Sequence, residues 1–213
     1  MVRVSLLIFM VASSVSAIAE FRIWEDVQGN IWEAEFFAMN GNLVVLRDQA
    51  GRNVEFEPGK LCVADREYLE KVVPPALSID VSKTTDNAGS GQNTERVQCL
   101  ADIKQSDARS YTGPLTAVLA IVGEDIRTGA ISLVSSKEHV FTLPENRGMS
   151  VEFRSDRVSF AKNSAKSGKL YGGYVLVVWD RFSNPVAIES NRDSYLEMAT
   201  KLAAPNPMKR KTK

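Results

Sequence analysis

Apolar and polar side chains alternate through most of this chain, and that rhythm constrains the fold more than any motif does. In "IWEAEFFAMNGNLVVLRD", Trp32, Ala34 and Phe36 fall on one side and Glu33 and Glu35 on the other. A period of two is the signature of a strand with one wet face. Asn40-Gly41 then supplies a hairpin turn, and Val44 and Leu46 continue the apolar side. "DQAGRN" is a second turn, after which Val54 and Phe56 alternate with Glu55 and Glu57. "PGKLCVADREYLEKVV" leads into a helix. Cys62 takes its N-cap, Asp65 the capping-box position, and Leu69, Val72 and Val73 the apolar stripe. Pro74-Pro75 ends it, since proline cannot continue a helix.

Four short strands with tight turns and a closing helix predict a small SH3-like barrel over residues 20–73. The run Arg22-x-Trp24, Gly29, "EAEF" (Glu33 to Phe36), "VVLRDQAGRNVEF" and "KLCVADREYL" resembles the SLA1 homology domain 1. That domain is known from eukaryotic endocytic adaptors and from exported proteins of planctomycete-like and verrucomicrobia-like bacteria. The resemblance covers about a quarter of the chain and rests on structural residues, so it speaks to fold before function. Cys62 departs from it, standing where the family usually has serine. The resemblance also implies capture of a short Asn-Pro-Phe peptide, with no numbered residue here to carry it.

Residues 74–204 repeat the strand signal. "ALSIDVS" alternates Leu77, Ile79 and Val81, and "KTTDNAGSGQN" is a polar loop. Then come "ERVQCLADIKQ", "PLTAVLAIVGE", "AISLVSS", "EHVFTL", "GMSVEFRS", "RVSFAK", "GGYVLVVWD" and "PVAIES". The runs around Val118 and Val177 are apolar on both faces, which suits central strands. Roughly seven to nine strands predict an immunoglobulin-like β-sandwich, without the usual Cys-Trp-Cys framework. A helix capped by Ser190 or Asn191 follows, with Tyr195, Ala199 and Leu202 on one face. The fold class expected is therefore mainly β.

The two ends read differently. Arg3, the apolar run "VSLLIFMVA" and Ala17-Ile18-Ala19 form a signal-peptide pattern over residues 1–19. "PNPMKRKTK", with residues 205–213, reads as a disordered basic tail. An exported protein, periplasmic or extracellular, is expected. Lys and Arg balance Asp and Glu at 26 each, so no global field steers the chain toward nucleic acid. Of the two cysteines, Cys99 alternates with inward residues and Cys62 precedes a helix in the other segment. Two free thiols are expected, with a disulfide as the alternative.

No residue set asks for catalysis, a cofactor or a metal. The single histidine, His139, lacks a nucleophile-elbow partner, and Cys and His are too few and scattered for zinc. Glu33 and Glu35, like Glu55 and Glu57, face outward at i,i+2, whereas a glycosidase needs two carboxyls facing across a cleft. A hydrolase using Glu33, Glu55 or His139 ranks last. Trp24, Tyr174 and Trp179 are the candidate partner-binding residues, Tyr174 and Trp179 forming with Tyr171 an aromatic platform for glycan or another envelope polymer. The bland reading of Tyr171-Gly172-Gly173-Tyr174 is a glycine bulge beside core aromatics, and that of Trp24 and Trp32 is core. The expected function is a non-enzymatic protein-interaction or structural module of the cell envelope, with glycan binding as the alternative.

Overall fold

The computed structural model describes residues 21–87, 93–109, 111–146, 148–162 and 165–202. The leader pattern, the middle of the "KTTDNAGSGQN" loop and the basic tail lie outside them. The chain is mainly β. Strands β1 (Arg22–Glu25), β2 (Ile31–Asn40), β3 (Leu43–Arg47) and β4 (Asn53–Phe56) form an antiparallel meander, followed by helix α1 (Val63–Val72). After Pro74-Pro75 come β5 (Leu77–Asn87), β6 (Thr94–Gln105), β7 (Leu115–Asp125), β8 (Ile131–Phe141), β9 (Val151–Arg154), β10 (Val158–Ala161), β11 (Lys169–Trp179) and β12 (Pro185–Ser190). A 3-10 turn at Asp193–Tyr195 runs into the short helix α2 (Leu196–Ala199).

The second unit has two antiparallel sheets. In one, β5 lies on one edge of β6 while β9 and β10 lie on its other edge; the second runs β12-β11-β7-β8. Val97, Cys99, Ala101 and Ile103 of β6 share a core with Leu115, Ala117, Leu119 and Ile121 of β7 and with Leu176 and Val178 of β11. The opposite side of β7 and β11, with Val118, Ala120, Val122, Val175 and Val177, is covered by Tyr195, Met198, Ala199 and Leu202. These two strands are therefore covered on both faces, which is why their sequences lose the alternation. Each buried Val, Leu or Ile among them contributes roughly 1.5–3 kcal/mol of burial. Both cysteines are free thiols, Cys99 buried and Cys62 partly so.

Several local expectations are corrected. The first sheet is an open meander and no closed barrel: β1 and β4 do not pair. The outer edge of β1 is satisfied instead by the segment before α1. Cys62 N donates to Glu25 O at 2.8 Å, Val27 N to Lys60 O at 2.9 Å, and Asp26 bridges Leu61. Cys62 is the N-cap of α1 but makes no side-chain cap bond. Asp65 forms no capping box, because Cys62 N is already engaged with the strand. Its carboxylate takes Glu25 N at 2.7 Å and Arg22 Nη2 at 2.6 Å. Glu35 is buried, not outward, and Val54 is exposed on the edge strand β4. β5 runs through Lys83 to Asn87, where a loop was expected, because β6 offers it partners as far as Glu95. Ser190 and Asn191 do not cap the last helix. Ser190 Oγ donates to Tyr174 O at 2.8 Å, and Asn191 Oδ1 accepts from Tyr174 N at 2.9 Å. The 3-10 turn consequently begins after Arg192.

Candidate functional site

One turn of the second unit reaches into the first. β11 and β12 are joined by Asp180-Arg181-Phe182-Ser183-Asn184, and Asp180 organises it. Asp180 Oδ1 accepts from the backbone N of Phe182 and of Asn184, both at 2.8 Å, and Oδ2 from Asn184 Nδ2 at 3.1 Å. Asp26 does the same with Gln28 and Asn30, and Asp48 binds Arg52 through N and Nε. In those two turns the fourth position is glycine at positive φ, Gly29 at 84° and Gly51 at 79°. In the junction turn it is Ser183, at φ 67°. A side-chain-bearing residue there costs about 1 kcal/mol, and such strain concentrates where geometry is over-determined.

That geometry carries the turn into the first unit. Phe182 packs edge-to-face on Phe36 with ring centroids 5.7 Å apart and joins the core around Trp24. Asn184 Nδ2 donates to Phe37 O at 2.8 Å. The β2–β3 register shifts between Phe36 and Ala38, so Phe37 sits in a bulge. A bulge takes a residue out of the ladder, and here its carbonyl receives the bond from the other unit. Asp180 is 6 % exposed, and burial pushes its carboxyl above the usual range against the opposing bonds from Asn184 and Phe182 and the charge of Arg181.

Two clefts flank this contact, and another opens nearby on the second unit alone. One of about 410 Å³ lies between Phe36, Met39, Pro74 and Pro75 on one side and Asp180, Asn184 and Val186 on the other. A second, of about 490 Å³, lies among Gln105, Arg109, Tyr111, Thr142, Leu143 and Glu145. The third, of about 300 Å³, is walled by Tyr68, Lys71 and Val72 of α1, the 111–114 loop, and Arg181. Asp107 shapes the 105–109 loop: its Oδ2 accepts from Ala76 N at 3.0 Å and Arg109 Nε at 2.8 Å. Gln105 Nε2 closes it by donating to Arg109 O. Tyr111 OH reaches Pro114 O at 3.4 Å. Burial, then the charge of Asp180, push the Tyr111 phenol up to about 12, with Arg181 opposing. The group is therefore a neutral donor at physiological pH.

The candidates from the sequence do not converge. Trp24 is 0 % exposed, donates Nε1 to Ala34 O at 2.9 Å and meets Tyr68 edge-to-face at 5.6 Å. Its indole is core and offers no face to a partner. Trp32 is half-buried and stacks on Phe56 at 4.6 Å. Tyr174 and Trp179 lie on opposite faces of β11. Tyr174 packs against the core between the sheets, and Trp179 against the cluster under α2. An odd spacing along a strand turns two side chains to opposite sides, so they form no shared platform. The register of β11 against β7 shifts between Tyr171 and Gly173, making Gly172 a bulge, and Tyr171 OH contacts Cys99 Sγ at 3.4 Å inside the core. Desolvation raises the pKa of both Tyr171 and Cys99. Glu33 is bonded by Gln49 and Glu55 by Asn40, both at the surface of the first unit. His139 stacks on Phe153 at 5.0 Å in the second. Among the described residues no group of three or more His, Cys, Asp or Glu is arranged to hold a metal ion.

Lys71, Tyr111, Arg181, Phe182 and Asn184 were not singled out by sequence reasoning. The one available signal was the spacing Asp-x-x-x-Asn, present in "DVQGN" and "DRFSN". It marks the turn, but not what the turn meets. Compared with known proteins, the chain matches no family model and no curated protein.

Proposed function

We propose that this chain is a non-catalytic interaction protein of the cell envelope. An SH3-like roll and an immunoglobulin-like sandwich are held together so that a partner protein meets a surface made by both. The observation that carries this reading is the docked turn. Phe182 and Asn184 tie the units together, and two clefts beside them have walls from each unit. Sites between domains are where binding clefts concentrate. The leader pattern supports export, and the resemblance of residues 20–73 to an adaptor domain supports partner binding. The alternative, binding of glycan or another envelope polymer through Tyr174, Trp179 or Trp24, has less support, because Trp24 is buried and Tyr174 and Trp179 lie on opposite faces of β11.

Site-directed photocrosslinking tests the proposal. Benzoylphenylalanine at exposed Thr112, beside the junction, should give a discrete adduct with one envelope protein in intact cells. The same group at Thr84, on the solvated outer face of β5, should not. Equal labelling at both positions, or none at Thr112, Met39 and Val186, would sink the reading.

A further inference from the structure

The smallest of the three clefts has a chemistry of its own. Tyr68, Lys71 and Val72 lie one turn apart on α1 and so share a face. The 111–114 loop faces them, and it can fold this tightly because residue 113 is glycine. A Cβ there would stand only 2.6 Å from Tyr111 Cζ. The Arg22 guanidinium covers the Tyr68 ring at 3.9 Å and is itself tied to Asp65, which orients that wall.

Every polar side chain that lines the cleft ends in a cation or a hydroxyl. Lys71 and Arg181 supply two positive charges, and neither has a carboxylate within 4.0 Å among the described residues. Arg181 rests over Phe182 at 4.7 Å, and its buried Nε has no hydrogen-bond partner among the described residues. Asp180 is the nearby acid, but its oxygens are occupied by Phe182 and Asn184. A buried donor left without a partner is costly and rare in folded proteins. Thr112 and Tyr111 contribute hydroxyls, while Val72, Gly113 and Pro114 contribute apolar wall.

We propose that this cleft binds the C-terminal residue of a partner polypeptide, its carboxylate between Lys71 and Arg181 and its apolar side chain against Val72 and Pro114. Two features select a chain end. A volume of about 300 Å³ lies at the lower limit for ligand sites, suiting one terminal residue and no long oligosaccharide. A terminal residue also carries carboxylate and apolar side chain on the same carbon, matching cations and apolar wall set side by side. An internal Asp or Glu puts its carboxylate at the tip of the side chain, with no apolar group beside it.

The inference deepens the interaction reading and rests on it. Its test is titration of the isotope-labelled full chain with N-acetylated alanyl-leucine bearing a free carboxylate, followed by chemical-shift changes. Arms with the C-terminal amide of that dipeptide and with acetylglutamate amide run in parallel. The free carboxylate should shift resonances of Lys71, Thr112 and Gly113 saturably, and the two amides should not. Lys71→Gln, an exposed change, should weaken binding about tenfold or more, as should Arg181→Gln. Arg181→Lys should recover part of the loss, since it keeps the charge without the planar fork. Melting curves confirm that each variant folds; if Arg181→Gln does not, Lys71→Gln alone decides. Raising salt should also weaken binding. Equal binding of either amide arm, indifference to Lys71→Gln, or no saturable shift with the free carboxylate overturns the proposal. A surviving crosslink at Thr112 alongside that failure would leave the interaction reading standing and remove only the chain-end site.

Discussion

Asp65 does more for the first unit than a helix cap would. It is 2 % exposed, and its two oxygens hold the Arg22 guanidinium and the Glu25 amide, tying α1 to the edge strand β1. Replacing it with alanine leaves a half-buried cation and a backbone N–H unpaired. Asp65→Ala should cost about 3–5 kcal/mol in a denaturant titration, in line with broken buried pairs. Two glycines make a second residue-scale contrast. At Gly51, φ is 79° and the space around a Cβ is open, so Gly51→Ala meets backbone strain alone and should cost about 1 kcal/mol. At Gly173, φ is 151° and a Cβ would collide with the Asn191 amide that accepts from Tyr174 N. Gly173→Ala should therefore cost about 3 kcal/mol, because it expels a side chain with its hydrogen bonds as well as straining the backbone. Equal losses at the two sites would refute that account. The residue types behind these effects were visible in the sequence. Asp65 was legible as a polar residue at a helix start, but its partners belong to a strand some forty positions away.

At the scale of elements, the behaviour of the 180–184 turn can be followed by pH. Burial raises the Asp180 carboxyl above 3.8, its ordinary value. The folded state then holds that proton more tightly than the unfolded chain does. Between the ordinary and the raised value, unfolding releases the proton, so stability at this site falls as pH rises. The stability difference between wild type and Asp180→Asn, measured by melting across that window, should shrink in the wild type's disfavour as pH increases. A flat difference would mean that the bonds from Phe182 and Asn184 compensate burial fully. The strands themselves were largely legible. β2, β3, β6, β7 and β11 follow from alternation or from continuous apolar runs, because side-chain direction along a strand is a local property. The ends of elements were less so. β5 outran its apolar pattern because β6 supplied partners, and α2 started late because Ser190 and Asn191 bond to β11 in place of the helix.

Across the whole molecule, Phe182 is a contact that links the two cores. It comes from the second unit and packs in the core of the first, with Asn184 pinned to the Phe37 bulge. Phe182→Ala should lower stability by about 3 kcal/mol and split a single calorimetric transition into two, since each unit keeps its own apolar cluster. A single unshifted transition would show that the units are joined elsewhere. What the sequence determined by itself was the β character of the chain, its turns, the helix at 63–72 and the break at Pro74-Pro75, all set by periodicity and backbone chemistry acting over a few residues. Which aromatics reach solvent was settled only by tertiary structure. The indole of Trp24 is closed off by Tyr68 and the Ala34 carbonyl, and Tyr174 and Trp179 are parted by the pleat of β11. The meeting of Lys71, Tyr111 and Arg181 was likewise beyond local reading, because exposure and proximity are fixed by whatever segment happens to fold against a residue, however distant in the chain.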